Sequence, residues 1–336
     1  MSRYSRQELF SGIGAEGQGR IRTSRVLVVG CGALGSILAE TMTRAGVGEL
    51  IVVDRDYVES SNLQRQALFT EEDARQSLPK AKAAEARLAA INSEVAISGV
   101  LADFSSETAP GLVEGADLIL DGTDNFETRF LVNDLALRQG IPWVYGACVG
   151  AYGLALLVQP RKTPCLRCIL EEMPPAGSGP TCDTVGVVAP IVQVIAGIQG
   201  GEALKILAGH PEAALPGVVS VDLWKGTFDV MDLRGKAPWC PACTEGRFDY
   251  MAAPPPAVVL CGRDAVQIRS PHGTHVELQA LARRLEGLGE VTANAHLVRF
   301  RAPEGEIVIF SDGRALVKGT SDGVRARALF SKYVGN

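Results

Sequence analysis

The feature that most constrains this chain is a glycine turn set between a strand and a helix. Arg25-Val-Leu-Val-Val-Gly30 is a short, continuously apolar run, the pattern of a strand buried on both faces of a parallel sheet. Gly30-Cys-Gly-Ala-Leu-Gly35 follows at once, and a segment with helical spacing runs from about Ser36 to Ala45. Gly30, Gly32 and Gly35 would let backbone N–H groups approach phosphate oxygens at a helix N-terminus. Leu50 to Asp54 reads as a second buried strand, ending on a carboxylate placed to accept hydrogen bonds from ribose hydroxyls. Lys80 to Asn92 reads as an alanine-rich helix and Ala116 to Asp121 as another strand. A β–α–β–α–β order implies a doubly wound, mainly parallel α/β sheet with right-handed crossovers. The turn alone does not separate ATP from NAD.

At 336 residues the chain suits one large domain plus a small one, since single cores stop growing near about 250 to 300 residues. Beyond Ile141-Pro142 the pattern changes to short strands around Ala155 to Gln159, then to the Pro/Gly/Ser-rich Met173 to Pro180, which reads as a surface loop. Ala189 to Leu207 is an almost wholly apolar helix, expected in the core or at a subunit interface. Ala252-Ala-Pro-Pro-Pro-Ala257 reads as an extended linker. The expected division is therefore 1–250, a linker at 251–257, and a small α+β domain at 258–336. In that last part, strands are expected at Val258 to Cys261, Ala265 to Ile268, Leu297 to Arg301, Glu306 to Phe310 and Ala315 to Lys318. Helices are expected at Val276 to Leu288 and Val324 to Tyr333.

With 46% hydrophobic and 21% charged residues the chain has the composition of a folded protein. A net charge of −5 argues against a nucleic-acid partner, because phosphate binding leaves a clustered basic surplus. The polar start MSRYSRQELF offers no apolar signal-peptide core, and the longest apolar stretch is broken by Gln193 and glycines. A cytoplasmic protein without a membrane span is expected.

Cys165-Leu-Arg-Cys168 and Cys240-Pro-Ala-Cys243 account for four of the eight cysteines. Each CxxC turn aims two sulfurs at one point, and two such turns complete a closed tetrahedral shell suited to structural Zn²⁺. A redox CxxC is the competing reading. Cys31, Cys148 and Cys261 read as small buried residues, and His210, His272, His275 and His296 are too scattered to carry a role.

Tyr4-Ser-Arg-Gln7, the glycine turn, Asp54-Arg-Asp56, Asn62-Leu-Gln-Arg-Gln66, Pro79-Lys80, Thr123-Asp-Asn125 and the two CxxC pairs occur in this order. In that order the chain resembles the ThiF/MoeB/HesA adenylyltransferases, bacterial relatives of ubiquitin-activating enzymes, over about residues 3 to 248. The resemblance implies a reaction in which ATP and Mg²⁺ adenylate the C-terminal Gly-Gly carboxylate of a small ubiquitin-like carrier protein. It would serve sulfur transfer in molybdopterin, thiamine thiazole, cysteine or tRNA thiolation chemistry.

By the same resemblance Arg65 and Lys80 contact the phosphates, with Lys80 preferred over Lys82 because it directly follows Pro79. Asn62 helps hold the phosphates, and Asp54 binds the ribose. Asp56 and Asn125 belong to the nucleotide site through their motifs, and Asp124 positions Mg²⁺ or the reacting groups. Arg6 matches an arginine supplied by a neighbouring subunit, implying a homodimer, and Cys182 matches a thiol that in some relatives joins the carrier covalently. Activation of a tRNA or small-molecule carboxylate, and less readily an NAD-dependent oxidoreductase, are the alternatives. The C-terminal part lacks a CxxR loop, so it is not read as a sulfurtransferase; its size and position suggest docking of the carrier or holding of the dimer.

Overall fold

The computed structural model of the chain describes residues 2–175, 179, 181–235, 239–252, 259–260, 265–269 and 276–335. Residues 253–257 of the linker expected at 251–257, residues 176–178 and 180 of the Pro/Gly loop, Cys261, His272 and His275 lie outside the described residues.

Eight strands form the first sheet, in the order β3-β2-β1-β4-β5-β6-β7-β8. They are β1 (Arg25–Val29), β2 (Glu49–Asp54), β3 (Ala96–Leu101), β4 (Leu118–Asp121), β5 (Trp143–Val149), β6 (Tyr152–Val158), β7 (Gly217–Asp222) and β8 (Thr227–Asp232). β3 through β5 pair in parallel, and β6, β7 and β8 continue the sheet antiparallel. Successive side chains of β1 leave on opposite faces. Val26 and Val28 therefore join the cluster under the Ala33–Ala45 and Ala189–Ala208 helices, and Leu27 and Val29 join the one under the Phe126–Gln139 helix. A strand that is apolar at every position from Val26 to Val29 is the expected consequence of being covered twice.

The apolar helix, Ala189–Ala208, buries Ile191, Ile195, Ala203 and Leu207 in the first of these clusters. Gln199 on the same helix donates from Nε2 to the carbonyls of Asp121 (2.9 Å) and Val144 (3.2 Å), fastening it to the ends of β4 and β5. By length and composition this helix could cross a membrane, yet 56% of its apolar window is buried inside the molecule.

The second sheet is antiparallel, in the order β11-β12-β13-β14-β10-β9. Its strands are β9 (Val259–Leu260), β10 (Ala265–Arg269), β11 (Glu290–Ala293), β12 (Leu297–Ala302), β13 (Gly305–Phe310) and β14 (Arg314–Lys318). Period-two alternation gives it two apolar faces. Ile307, Ile309, Ala315 and Val317 pack under the Leu278–Leu285 and Gly323–Tyr333 helices, whereas Val308, Phe310 and Leu316 turn to the other side and enclose Tyr57 and Leu101 of the first sheet's domain. The first of these helices is shorter than the expected Val276 to Leu288, ending before Gly287, whose φ is +82°. The strand expected at Val258 to Cys261 is described only as Val259–Leu260.

Candidate active site and metal centre

The helix after β1 starts at Ala33, inside the glycine motif and earlier than the expected Ser36, with Gly32 as its N-cap. Gly30 has φ +84°, and a Cβ there would lie 2.8 Å from the Gly122 carbonyl oxygen at the end of β4. A Cβ on Gly35 would meet the Gly30 carbonyl oxygen at 1.8 Å. Both positions therefore exclude any side chain, while at Gly32 the nearest atom to such a Cβ is 3.8 Å away. Gly32 is less crowded, with only ordinary contacts to the Gly122 carbonyl and Gln66, and a phosphate could approach the first, unsatisfied N–H groups of the helix there.

Asp54 ties this turn to β2. Its Oδ2 accepts the Cys31 N–H at 2.6 Å and its Oδ1 accepts the Asp56 N–H at 2.7 Å. Burial pushes its carboxyl above the usual carboxylate range, opposed by the Lys80 ammonium and by these two donors. A carboxylate has about four lone-pair sites, so ribose hydroxyls could still bind. Lys80 opens the Lys80–Ile91 helix with only 3% of its side chain exposed, its Nζ 3.5 Å from Asp56 Oδ2. Lys82 points away, to Glu85 at 3.0 Å. Of the two lysines, it is Lys80 that the structure brings to Asp54 and Asp56.

Asn62 ends a short 3-10 turn, Ser60–Asn62, and its Oδ1 accepts the Glu59 N–H at 3.1 Å. Arg65 follows, with Nη1 donating to the Ser61 carbonyl at 3.0 Å. Both line a cavity of about 510 Å³ together with Asp56, Cys182, Leu316 and Lys318. Cys182 is half-buried, and its Sγ donates to the Cys148 carbonyl at 3.1 Å. Cys31 is fully buried and Cys148 half-buried.

Asp124 is exposed in the loop after β4, and Asn125 caps the Phe126–Gln139 helix by accepting the Thr128 N–H at 2.8 Å. This loop is shaped by a pair the sequence reading did not single out. Asp121, fully buried at the end of β4, accepts from Arg129 Nε at 3.1 Å, and Arg129 Nη2 donates to the carbonyls of Thr123 (2.8 Å) and Gly146 (2.9 Å). An arginine at a buried register of a helix, between Thr128 and Phe130, is the signal that could have found it.

Arg6 stands apart from this group. It is exposed on the Ser5–Glu8 helix, whose Gln7 donates from Nε2 to the Ala45 carbonyl at 3.1 Å. Ala45 is the far end of the 13-residue helix that starts at the glycine turn. At a rise of about 1.5 Å per residue, the phosphate end of that helix lies roughly 20 Å away.

The four expected cysteines converge. The ligand atoms of Cys165, Cys168, Cys240 and Cys243 all lie within 4.8 Å of one another. Three of the sulfur pairs are 3.7 to 3.8 Å apart. A tetrahedral zinc with bonds to sulfur of about 2.3 Å separates its sulfurs by about 3.8 Å, so the cluster could hold zinc without rearrangement. Arg167, inside the first CxxC, reaches across to the second segment, donating to the Arg247 carbonyl at 3.1 Å and pairing with Asp249 at 3.2 Å.

A glycine turn at a helix N-terminus, a buried lysine paired with Asp56 and a four-cysteine cluster that could hold zinc are the features of a nucleotide-binding α/β enzyme. The ThiF family model matches residues 4–242, and the chain belongs to the ThiF family and is an adenylyltransferase. It is 46% identical over 337 residues to the sulfur carrier protein ThiS adenylyltransferase of Bacillus subtilis (strain 168), covering 99% of each chain. To the SAMP-activating enzyme E1 of Haloferax volcanii it is 39% identical, over 74% of this chain and 91% of that one. Among solved structures, the fold resembles E. coli MccB with ATP, at a TM-score of 0.62 and 24% identity, covering 72% of this chain and 74% of that one.

Proposed function

We propose that this enzyme adenylates the C-terminal Gly-Gly carboxylate of a small ubiquitin-like sulfur carrier of the ThiS type. A carboxylate oxygen attacks the α-phosphorus of ATP, the bond from that phosphorus to the bridging oxygen breaks, and pyrophosphate leaves with the negative charge. The observation that supports it is that Asp56, Asn62 and Arg65 line one cavity, with the buried Lys80 against Asp56 and with Asp54 holding the glycine turn. Two anions approach each other in this step, so cations must neutralise the phosphate before attack. Similarity to the Bacillus subtilis ThiS adenylyltransferase over 99% of the chain supports thiamine thiazole supply over molybdopterin, since the MOCS3 enzyme of Sus scrofa matches over 72% of this chain.

Asp54 would bind the ribose, and Asp124, with Asn125 beside it, would position the Mg²⁺ that accompanies ATP, a hard cation held by one or two carboxylates and phosphate oxygens. Asp56 would orient Lys80. Zinc in the cysteine cluster would be structural. Cys182 lines the same cavity as Arg65 and would take the acyl group in a later step. The setting for this chemistry would be the cytoplasm.

Arg6 cannot serve its own turn across the length of the Ala33–Ala45 helix, so in this reading it completes the site of a second copy in a homodimer. Arg6→Ala and Asp124→Ala are each expected to be inactive. Mixing and re-equilibrating them should restore about a quarter of wild-type exchange, because half the dimers are then mixed and each carries one intact site. A mixture as inactive as its parents would refute the composite site.

A further inference from the structure

The second sheet touches the first at the segments that carry the nucleotide motifs. Tyr57, between Asp56 and the Asn62 turn, is buried in the cluster formed by Leu297, Val308, Phe310 and Leu316. Its hydroxyl donates to Glu306 at 3.3 Å, and its ring lies 4.8 Å from Lys318 Nζ. On the neighbouring segment, Asn294 Nδ2 donates to the carbonyls of Gln76 (2.9 Å) and Ser77 (3.3 Å), just before Pro79-Lys80. Tyr57 and Pro79 are themselves bridged, and the Lys80 N–H donates to the Asp56 carbonyl at 2.9 Å.

The most direct of these links runs through Glu59. Lys318 Nζ, on β14, lies 2.5 Å from Glu59 Oε1. Glu59 is the N-cap of the Ser60–Asn62 turn, its backbone N–H donating to Asn62 Oδ1 at 3.1 Å and its carbonyl accepting the Asn62 N–H at 2.9 Å. The Arg65 N–H then donates to the Asn62 carbonyl at 3.1 Å. Glu306, the second carboxylate near Lys318 at 3.6 Å, already accepts from Arg299 at 2.8 Å and Arg301 at 3.0 Å. Lys318 is thereby left to hold Glu59.

We propose that the C-terminal sheet is part of the adenylation site, and that Lys318 is a positioning residue which, through Glu59, sets Asn62 and Arg65 against the phosphates. The inference rests on the adenylation reading for the identity of the ligand. Sheet and turn are far apart in sequence, and Tyr57 beside the turn is buried in the same apolar cluster as Val308, Phe310 and Leu316. What the contact adds is a fixed register for two phosphate-binding side chains. Errors of about 1 Å in such groups can cost on the order of 100-fold in rate.

The test uses the full-length protein and two measurements. Binding of a non-hydrolysable ATP analogue is read by calorimetry without carrier, and ATP–pyrophosphate exchange is then titrated separately in ATP and in a Gly-Gly carrier. Lys318→Met should lower kcat/KM for ATP by about tenfold, with matching weakening of the analogue, an unchanged KM for carrier and an unchanged Tm. Lys318→Arg should recover most of the loss, and adding Glu59→Gln to Lys318→Met should cost little more, since both break one link. Analogue binding at wild-type strength in Lys318→Met, or losses that add in the double variant, would overturn the proposal. Because analogue binding needs no carrier, a wrong carrier assignment would show as absent exchange in the wild type and leave this result standing.

Discussion

Arg65→Ala is expected to lower carrier-dependent ATP–pyrophosphate exchange by about 10²- to 10³-fold, the usual loss when one preorganised donor to a developing anion is removed. The guanidinium lines the cavity beside Asn62 and is held there by the Ser61 carbonyl, so it is already oriented before ATP arrives. Removing it leaves α-phosphate charge uncompensated in the step that brings in a carboxylate. Arg65→Lys should recover only part of the rate, because an ammonium cannot reproduce the planar fork of a guanidinium. Thermal unfolding of both variants should match the wild type, since Arg65 is only half-buried and its guanidinium lines the cavity. Exchange within threefold of wild type in Arg65→Ala would remove this residue from the phosphate site.

Cys240→Ser is expected to abolish stoichiometric zinc binding and to lower Tm by about 10 to 20 °C, taking about 4 to 5 kcal/mol for loss of a structural metal site. Cys240 is fully buried, and its sulfur lies 3.7 Å from that of Cys165. A serine hydroxyl there is a poor zinc ligand and leaves three thiols gathered around no ion. The consequence reaches beyond the cluster, because Cys165 begins the turn whose Leu166 N–H donates to Asn133 at 3.0 Å. Asn133 lies on the Phe126–Gln139 helix, which Asn125 caps and Arg129 anchors beneath the Asp124 loop. Metal analysis together with calorimetry would check the prediction; an unaltered Tm in a zinc-free variant would show the cluster to be dispensable for the fold.

Much of this site can be read from the sequence because its chemistry is local. The strand, glycine turn and Asp54 fall within about two elements of one another, and backbone sterics leave few residues able to occupy Gly30 and Gly35. The choice of Lys80 over Lys82 also follows from a local rule, since Pro79 sets the first turn of the helix and so fixes which lysine faces Asp56. The two CxxC pairs are legible because each is a turn that repeats one geometry.

Other parts are hidden for physical reasons. β3, Ala-Ile-Ser-Gly-Val-Leu, mixes small and polar residues and lacks the apolar run of its neighbours, because it lies at an edge of the sheet. β8 forms the opposite edge, with Phe228 and Met231 exposed, so it carries no pattern of burial at all. The Asp121–Arg129 pair depends on a helix packing over the end of β4, which spacing does not reveal. Lys318 and Glu59 are separated by 259 residues, and only the docking of one sheet on another makes them neighbours.

In this reading the acceptor of the adenylyl group of ATP is a carrier protein's C-terminal carboxylate. This assignment is tested most directly by ATP–pyrophosphate exchange with the purified full-length enzyme, supplied in turn with no carrier, a ThiS-type carrier ending in Gly-Gly, and the same carrier lacking its last two glycines. The account predicts exchange with the intact carrier alone. Exchange at equal rates without any carrier, or with the truncated one, would contradict it.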